Sequence, residues 1–163
     1  MKLVHGIVMA CFAVLLCTAW TTPASSFGLT GVGGRLGSTN SDDADASLAG
    51  GGHLEFEQAG SRIHIMPSVL FWSNNGLSDV NPNLDLYYHF SPPGRVSPYL
   101  GAGAAMHIYS ADVGNPGTDL GLNVFGGALF PMGRSRLFGE LRYSATSNAQ
   151  TSFYGGVTIP ITH

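Results

Sequence analysis

From residue 27 onward, apolar positions alternate with polar or small ones in eight successive stretches, the period-two signature of extended strands with two unlike faces. The stretches are 28–38, 47–57, 62–73, 83–90, 97–109, 120–131, 136–145 and 152–162. The fifth is the clearest. Pro98, Leu100, Ala102, Ala104, Met106 and Ile108 form a wholly apolar face, and Tyr99, Gly101, Gly103, Ala105, His107 and Tyr109 a small or amphipathic one. Glycines at this density weaken a helix, whereas a tilted strand of about 9–11 residues with rings near its ends suits a bilayer.

Other segments divide in the same way. The second sets Leu48, Gly50, Gly52, Leu54 and Phe56 against Ala49, Gly51, His53, Glu55 and Glu57; the seventh sets Leu137, Gly139, Leu141, Tyr143 and Ala145 against Phe138, Glu140, Arg142 and Ser144. The charges share one face, predicted to point inward, and the other face suits lipid. In the first segment Arg35 has the parity of Leu29, which predicts a bulge or a changed facing. The fourth is expected to start only after Pro82.

Connections 58–61, 91–94 and 132–135 are short and rich in turn formers, while 39–46, 74–82, 110–119 and 146–151 are generally longer and more polar. Aromatic residues predict two belts, with Phe56, Phe90, Tyr99, Phe130 and Phe138 near the short turns and Phe71, Trp72, Tyr109, Tyr143, Phe153 and Tyr154 near the longer loops. The predicted fold is all-β: an eight-stranded antiparallel transmembrane up-and-down β-barrel, both termini on the side of the short turns.

Composition fits an exported chain. Met1-Lys2 and the apolar run Ile7 to Leu16 precede the small residues Thr22-Pro23-Ala24-Ser25-Ser26, the pattern of a signal peptide over residues 1–24. Cleavage after Ala24, or alternatively after Ala19, leaves one domain; we take it as 25–163. Both cysteines, Cys11 and Cys17, fall within the leader, so the remainder is no disulfide scaffold. Six arginines against ten acids then give a net charge of −4, which argues against nucleic acid as a partner.

The run Pro98-Tyr99-Leu100-Gly101-Ala102-Gly103-Ala104 resembles the mid-barrel strand of small outer-membrane barrels of the OmpA/OmpX-like family. The resemblance extends through the architecture of 28–163. It implies a monomer in the outer membrane, with lipid and lipopolysaccharide as surroundings and the barrel-insertion machinery as a partner during biogenesis. Phe153, Gly155, Val157, Ile159 and Ile161 resemble the family's terminal insertion signal, with His163 where an aromatic belongs.

Candidate chemistry is sparse. A hairpin closed at 58–61 is expected to pair Glu57 with Arg62, Glu55 with His64 and His53 with Met66, and Asp85, His89, Glu140 and Arg142 extend this interior polar network. Buried charges in a narrow barrel must be paired; a gated polar path, and hence a narrow channel, is the functional alternative. His53, His64, His89 and His107 all have inward parity, but their differing depths argue against one metal site, and no cofactor is implied. Asp42, Asp43, Asp45, Asp112 and Asp119, with Asp79, are expected in the longer loops, where carboxylates solvate the surface or bridge cations to lipopolysaccharide phosphates. Ser147-Asn148-Ala149 resembles part of the His-x-Ser-Asn-Ala stretch of lipid A deacylases. Ala145 stands in place of the histidine base, so a non-enzymatic scaffold is expected, with a structural or surface-interaction role for the loops. A lipid A-modifying enzyme or its inactive relative and a soluble periplasmic ligand-binding barrel are the remaining alternatives.

Overall fold

The computed structural model describes residues 28–41, 44–74, 76–90, 95–111 and 117–161. The predicted leader, Asp42, Asp43, Asp112 and His163 lie outside the described residues, as does the Asp45 side chain. Eight antiparallel strands, β1 (Gly28–Ser41), β2 (Ala44–Glu57), β3 (Ile63–Asn74), β4 (Leu77–His89), β5 (Ser97–Ala111), β6 (Thr118–Met132), β7 (Ser135–Ala145) and β8 (Gln150–Pro160), pair in chain order. The sheet closes when β8 pairs with β1, from Gly31 opposite Pro160 to Ser41 opposite Gln150. Closure leaves no open edge.

The two faces invert the arrangement of a soluble core. Leu48, Leu120 and Leu36 are 78%, 75% and 67% exposed on the outside, whereas Arg142 and Glu140 are 2% and 1% exposed inside. Arg35 joins the interior through the anticipated irregularity. Leu29 pairs with Phe56 and Gly31 with Glu55, so Thr30 is an extra residue that reverses the facing of the strand beyond it.

The fourth strand departs from expectation. It begins at Leu77 and runs through Pro82. Pro67 and Pro82 both keep register across β3–β4, while the β2–β3 ladder lapses between His53/Ser68 and Phe56/Ile65 and the β4–β5 ladder between Val80/Ile108 and Asn83/Ala105. A missing proline N–H thus interrupts one side only, and the strand continues on the other. The Asn75-Gly76 pair is itself a hairpin signal, and Gly76 has the positive φ of 80° that such a turn requires. Connections at the end opposite the termini, hereafter the far end, therefore shrink to 42–43, 75–76, 112–117 and 146–149, because strand pairing extends into the predicted loops.

The aromatic belts also need correction. Tyr99, Phe138, Trp72 and Tyr154 are buried inside, while Phe71, Phe90, Phe130, Tyr143 and Phe153 remain on the exterior. Interior rings have glycines opposite. A Cβ on Gly127 would lie 2.7 Å from the Tyr99 ring, and those on Gly101 and Gly156 would strike Phe125 and Phe138. Outward-facing Gly139 has nothing within 4 Å. Gly127→Ala is expected to cost about 1–3 kcal/mol by overpacking and Gly139→Ala within about 0.5 kcal/mol, read from urea unfolding in detergent micelles; equal midpoints would refute the distinction.

Candidate functional site

The lumen holds three groups of polar side chains at successive depths. At the centre, β7 places Glu140 and Arg142 two residues apart on the inner face. Glu140 Oε1 accepts from Arg35 Nη1 at 2.9 Å and Arg142 Nε at 3.0 Å, and Oε2 accepts from the Tyr99 hydroxyl at 2.9 Å. Arg142 Nη2 donates to Asp85 Oδ2 at 2.8 Å. Two guanidinium groups thus meet two carboxylates, and the group carries no net charge. Asn123 Nδ2 extends it to Asp85 and Asn83, and Ser144 donates to Asn123 Oδ1 at 2.7 Å. Arg142 also lies 4.3 Å over the Phe125 ring, a cation–π contact on the face left by its ion pairs.

Toward the termini, Glu55 pairs with Arg136 and accepts from Thr158 Oγ1 at 3.3 Å. Thr158 Oγ1 in turn lies 2.9 Å from His53 Nε2. With its proton directed to Glu55, the hydroxyl accepts from the imidazole, which fixes the proton on Nε2. His64 lies 3.8 Å from Glu57, stacks on Tyr87 at 4.8 Å and meets His89 edge-on at 4.4 Å. His89 Nδ1 is 3.1 Å from Ser97 Oγ. Glu55, His53 and Tyr87 line a small cavity of about 10 Å³ together with Arg35, Tyr99 and Glu140.

Near the far end, Asp79 Oδ2 accepts from Trp72 Nε1 at 3.1 Å and lies 2.7 Å from His107 Nδ1. Asp79 is fully buried. Its expected place in a loop is therefore wrong, because β4 continues through Pro82 and gives Asp79, Asn81, Asn83 and Asp85 one inward parity. That alternation was legible in the sequence once the proline was allowed within the strand.

The predicted pairs across β2–β3 shift by two residues. Glu57 is opposite His64 and His53 opposite Ser68, because Arg62 lies exposed in the turn rather than in β3. Ser61 N–H donates to the Gln58 carbonyl at 2.9 Å, and Ser61 Oγ accepts from Ile63 N–H at 3.0 Å, so two more residues than expected, Arg62 and Ile63, lie between the paired positions Glu57 and His64. An even shift preserves every facing. Arg62 thus leaves the network, Glu55 partners Arg136 rather than His64, and His89 joins the aromatic group toward the termini rather than the central ion pairs. Arg35 and Arg136 supply the cations that the initial pairing scheme omitted.

The four interior histidines fall at separate places apart from the His64–His89 contact. Among the described residues no three metal-ligating side chains converge as a metal-binding group. Asp119 sits at the far rim and accepts from the Ser147 backbone N–H at 2.7 Å. Thr146 donates to the Asn148 carbonyl at 2.6 Å, and Ala145 is on the exterior. Among the described residues the hydrogen bond of Ser147 is the one its backbone N–H donates to Asp119.

Three solved structures share the architecture. Neisserial surface protein A superposes with a TM-score of 0.66 at 15% identity, over 81% of this chain and 96% of that one. The N-terminal barrel of Pseudomonas aeruginosa OprF also gives 0.66 at 15%, over 83% and 100%. The chain has the fold of the small outer-membrane barrels. Ail, the attachment invasion locus protein of Yersinia pestis, gives 0.55 at 14%, over 82% and 97%. No protein-family model matches the sequence, and no curated protein matches it. At such identity the comparison shows the fold.

Removing Glu140 leaves Arg35 and Arg142 buried without their common partner. Glu140→Ala should cost about 3–5 kcal/mol, whereas Glu57→Ala at the half-exposed mouth should stay within about 0.5 kcal/mol. The check is the urea midpoint of the folded band on unboiled gels; a Glu140→Ala midpoint equal to the parent's would refute the central role of this carboxylate.

Proposed function

We propose that the exported chain is an integral outer-membrane barrel that acts as a structural scaffold and presents its far rim at the cell surface. The observation that carries this reading is the inversion of the faces: leucines, phenylalanines and isoleucines cover the outside, and ten buried charged or histidine side chains line the inside. Water would be a poor solvent for that exterior, since soluble monomers rarely expose contiguous apolar surface beyond a few hundred Å². Hydrocarbon suits it, and closure of the sheet satisfies the backbone groups that lipid cannot.

Both termini then face the periplasm, as in an even-stranded barrel inserted from that side. The far rim carries Asp119, with Asp42, Asp43 and Asp112 in connections at the same end. Carboxylates there are suited to bridge divalent cations to lipopolysaccharide phosphates. The names surface protein and attachment invasion locus protein, given to two structural neighbours, support a surface-interaction role. The filled centre of the lumen supports a scaffold over a conducting pore.

Cell fractionation and gel mobility with and without boiling test the reading. The expected result is outer-membrane protein with a heat-dependent shift; a soluble periplasmic protein lacking the shift would overturn it. Leu122, 67% exposed on the exterior, offers a sharper test. Leu122→Arg should destabilise the membrane-inserted form by about 2–4 kcal/mol if it sits near the bilayer midplane, while an aqueous barrel would tolerate the change.

A further inference from the structure

The six arginines beyond the leader divide evenly by environment. Arg35, Arg136 and Arg142 are paired with carboxylates in the lumen. Arg62, Arg95 and Arg134 are exposed, and none makes an ion pair among the described residues. Each belongs to a different connection at the terminal end, between β2 and β3, β4 and β5, and β6 and β7. Those three connections contain no Asp or Glu, whereas the four far-end connections contain three Asp and no Arg or Lys.

Apolar neighbours set the depth of these cations. Arg62 precedes Ile63, 47% exposed; Arg95 precedes Val96, 52% exposed; Arg134 follows Met132, 53% exposed. Each guanidinium is thus carried on a turn whose adjoining residues present apolar surface outward. In a bilayer this geometry puts the charge at headgroup level, with the stem lying over the hydrocarbon boundary. A planar guanidinium there donates two parallel hydrogen bonds to phosphate oxygens. Glu57, the nearest acid in the hairpin sequence, already lies beside His64.

We propose that Arg62, Arg95 and Arg134 form a lipid-binding ring that recruits anionic phospholipid headgroups to the terminal end of the barrel. The inference rests on the membrane-barrel reading. Three cations spaced by pairs of strands leave only the β8–β1 sector, where the termini lie, without one. The far rim offers no matching set of exposed cations among the described residues. The ring therefore distinguishes the two leaflets by charge, since anionic lipid is attracted directly to one end and at the other meets acids that need a bridging cation to hold it.

The test uses the protein refolded into phosphatidylcholine vesicles containing trace spin-labelled phosphatidylglycerol or spin-labelled phosphatidylcholine. The readout is the relative association of the two lipids with the barrel by electron paramagnetic resonance. A surface cation contributes about 1 kcal/mol to anionic-lipid attraction, about fivefold per site, diluted over the lipids around the whole barrel. The expected preference for phosphatidylglycerol is at least roughly twofold, abolished in the R62Q/R95Q/R134Q variant and by high salt, and reduced in part by each single change. A folded parent without the preference, or a triple variant that retains it, overturns the ring. Retention of the parent on purified peptidoglycan without lipid preference would assign the arginines to that polymer and equally overturn it. Failure of the parent to show a heat-dependent gel shift in phosphatidylcholine alone would count instead against the barrel reading beneath it.

Discussion

Glu140 stands between Arg35 and Arg142, and the closed sheet depends on that bridge. A narrow lumen cannot hydrate its charges, so every guanidinium needs a carboxylate within reach. Through Glu140, Asp85 and Tyr99 the bridge connects β1, β4, β5 and β7 across the interior. Backbone ladders hold each strand to its neighbours; the ion pairs bind strands that are not adjacent. The Thr30 bulge belongs to the same arrangement, because it lets Leu29 face outward while Arg35 faces Glu140.

Filling the remaining lumen requires complementary volumes. Gly101, Gly127 and Gly156 lie against Phe125, Tyr99 and Phe138, so large rings occupy space that a Cβ would close. Polar groups on the rings then join the network, as the Tyr99 hydroxyl does at Glu140. Interior glycines are thereby steric requirements, whereas Gly139 on the exterior is bounded only by its surroundings. The same residue type has different meanings on the two faces. Prolines follow a related logic: Pro67 and Pro82 each sacrifice pairing with one neighbour while keeping register with the other.

The two ends of the barrel differ in charge. Short connections toward the termini carry exposed arginines without ion pairs among the described residues, and far-end connections carry acids and small polar residues. This asymmetry concerns the solvent-facing rims alone. Within the lumen, the central guanidinium and carboxylate charges cancel, and the Glu55–Arg136 pair repeats the pattern nearer the termini. Pairing inside and polarity along the axis are compatible because the rim charges sit on the connections, beyond the paired groups of the lumen.

Much of this organisation is written in alternation. Period two in the sequence determined the eight strands, the even number that brings the termini together, and the faces of Glu55, Asp85, Glu140 and Arg142, since facing depends only on local backbone geometry. The irregularity in the first strand was legible because Arg35 and Leu29 conflict in parity. Local pattern was insufficient for Asp79, where a proline masked a continuing strand, and for Arg62, where turn geometry consumed a residue. It was equally insufficient for partners. Only the tertiary structure decided that Glu140 meets Arg35, 105 residues away, or that the Tyr99 hydroxyl reaches Glu140. Those choices follow from how closure and strand stagger bring distant inner faces to one depth, a relation that alternation along a single strand does not contain.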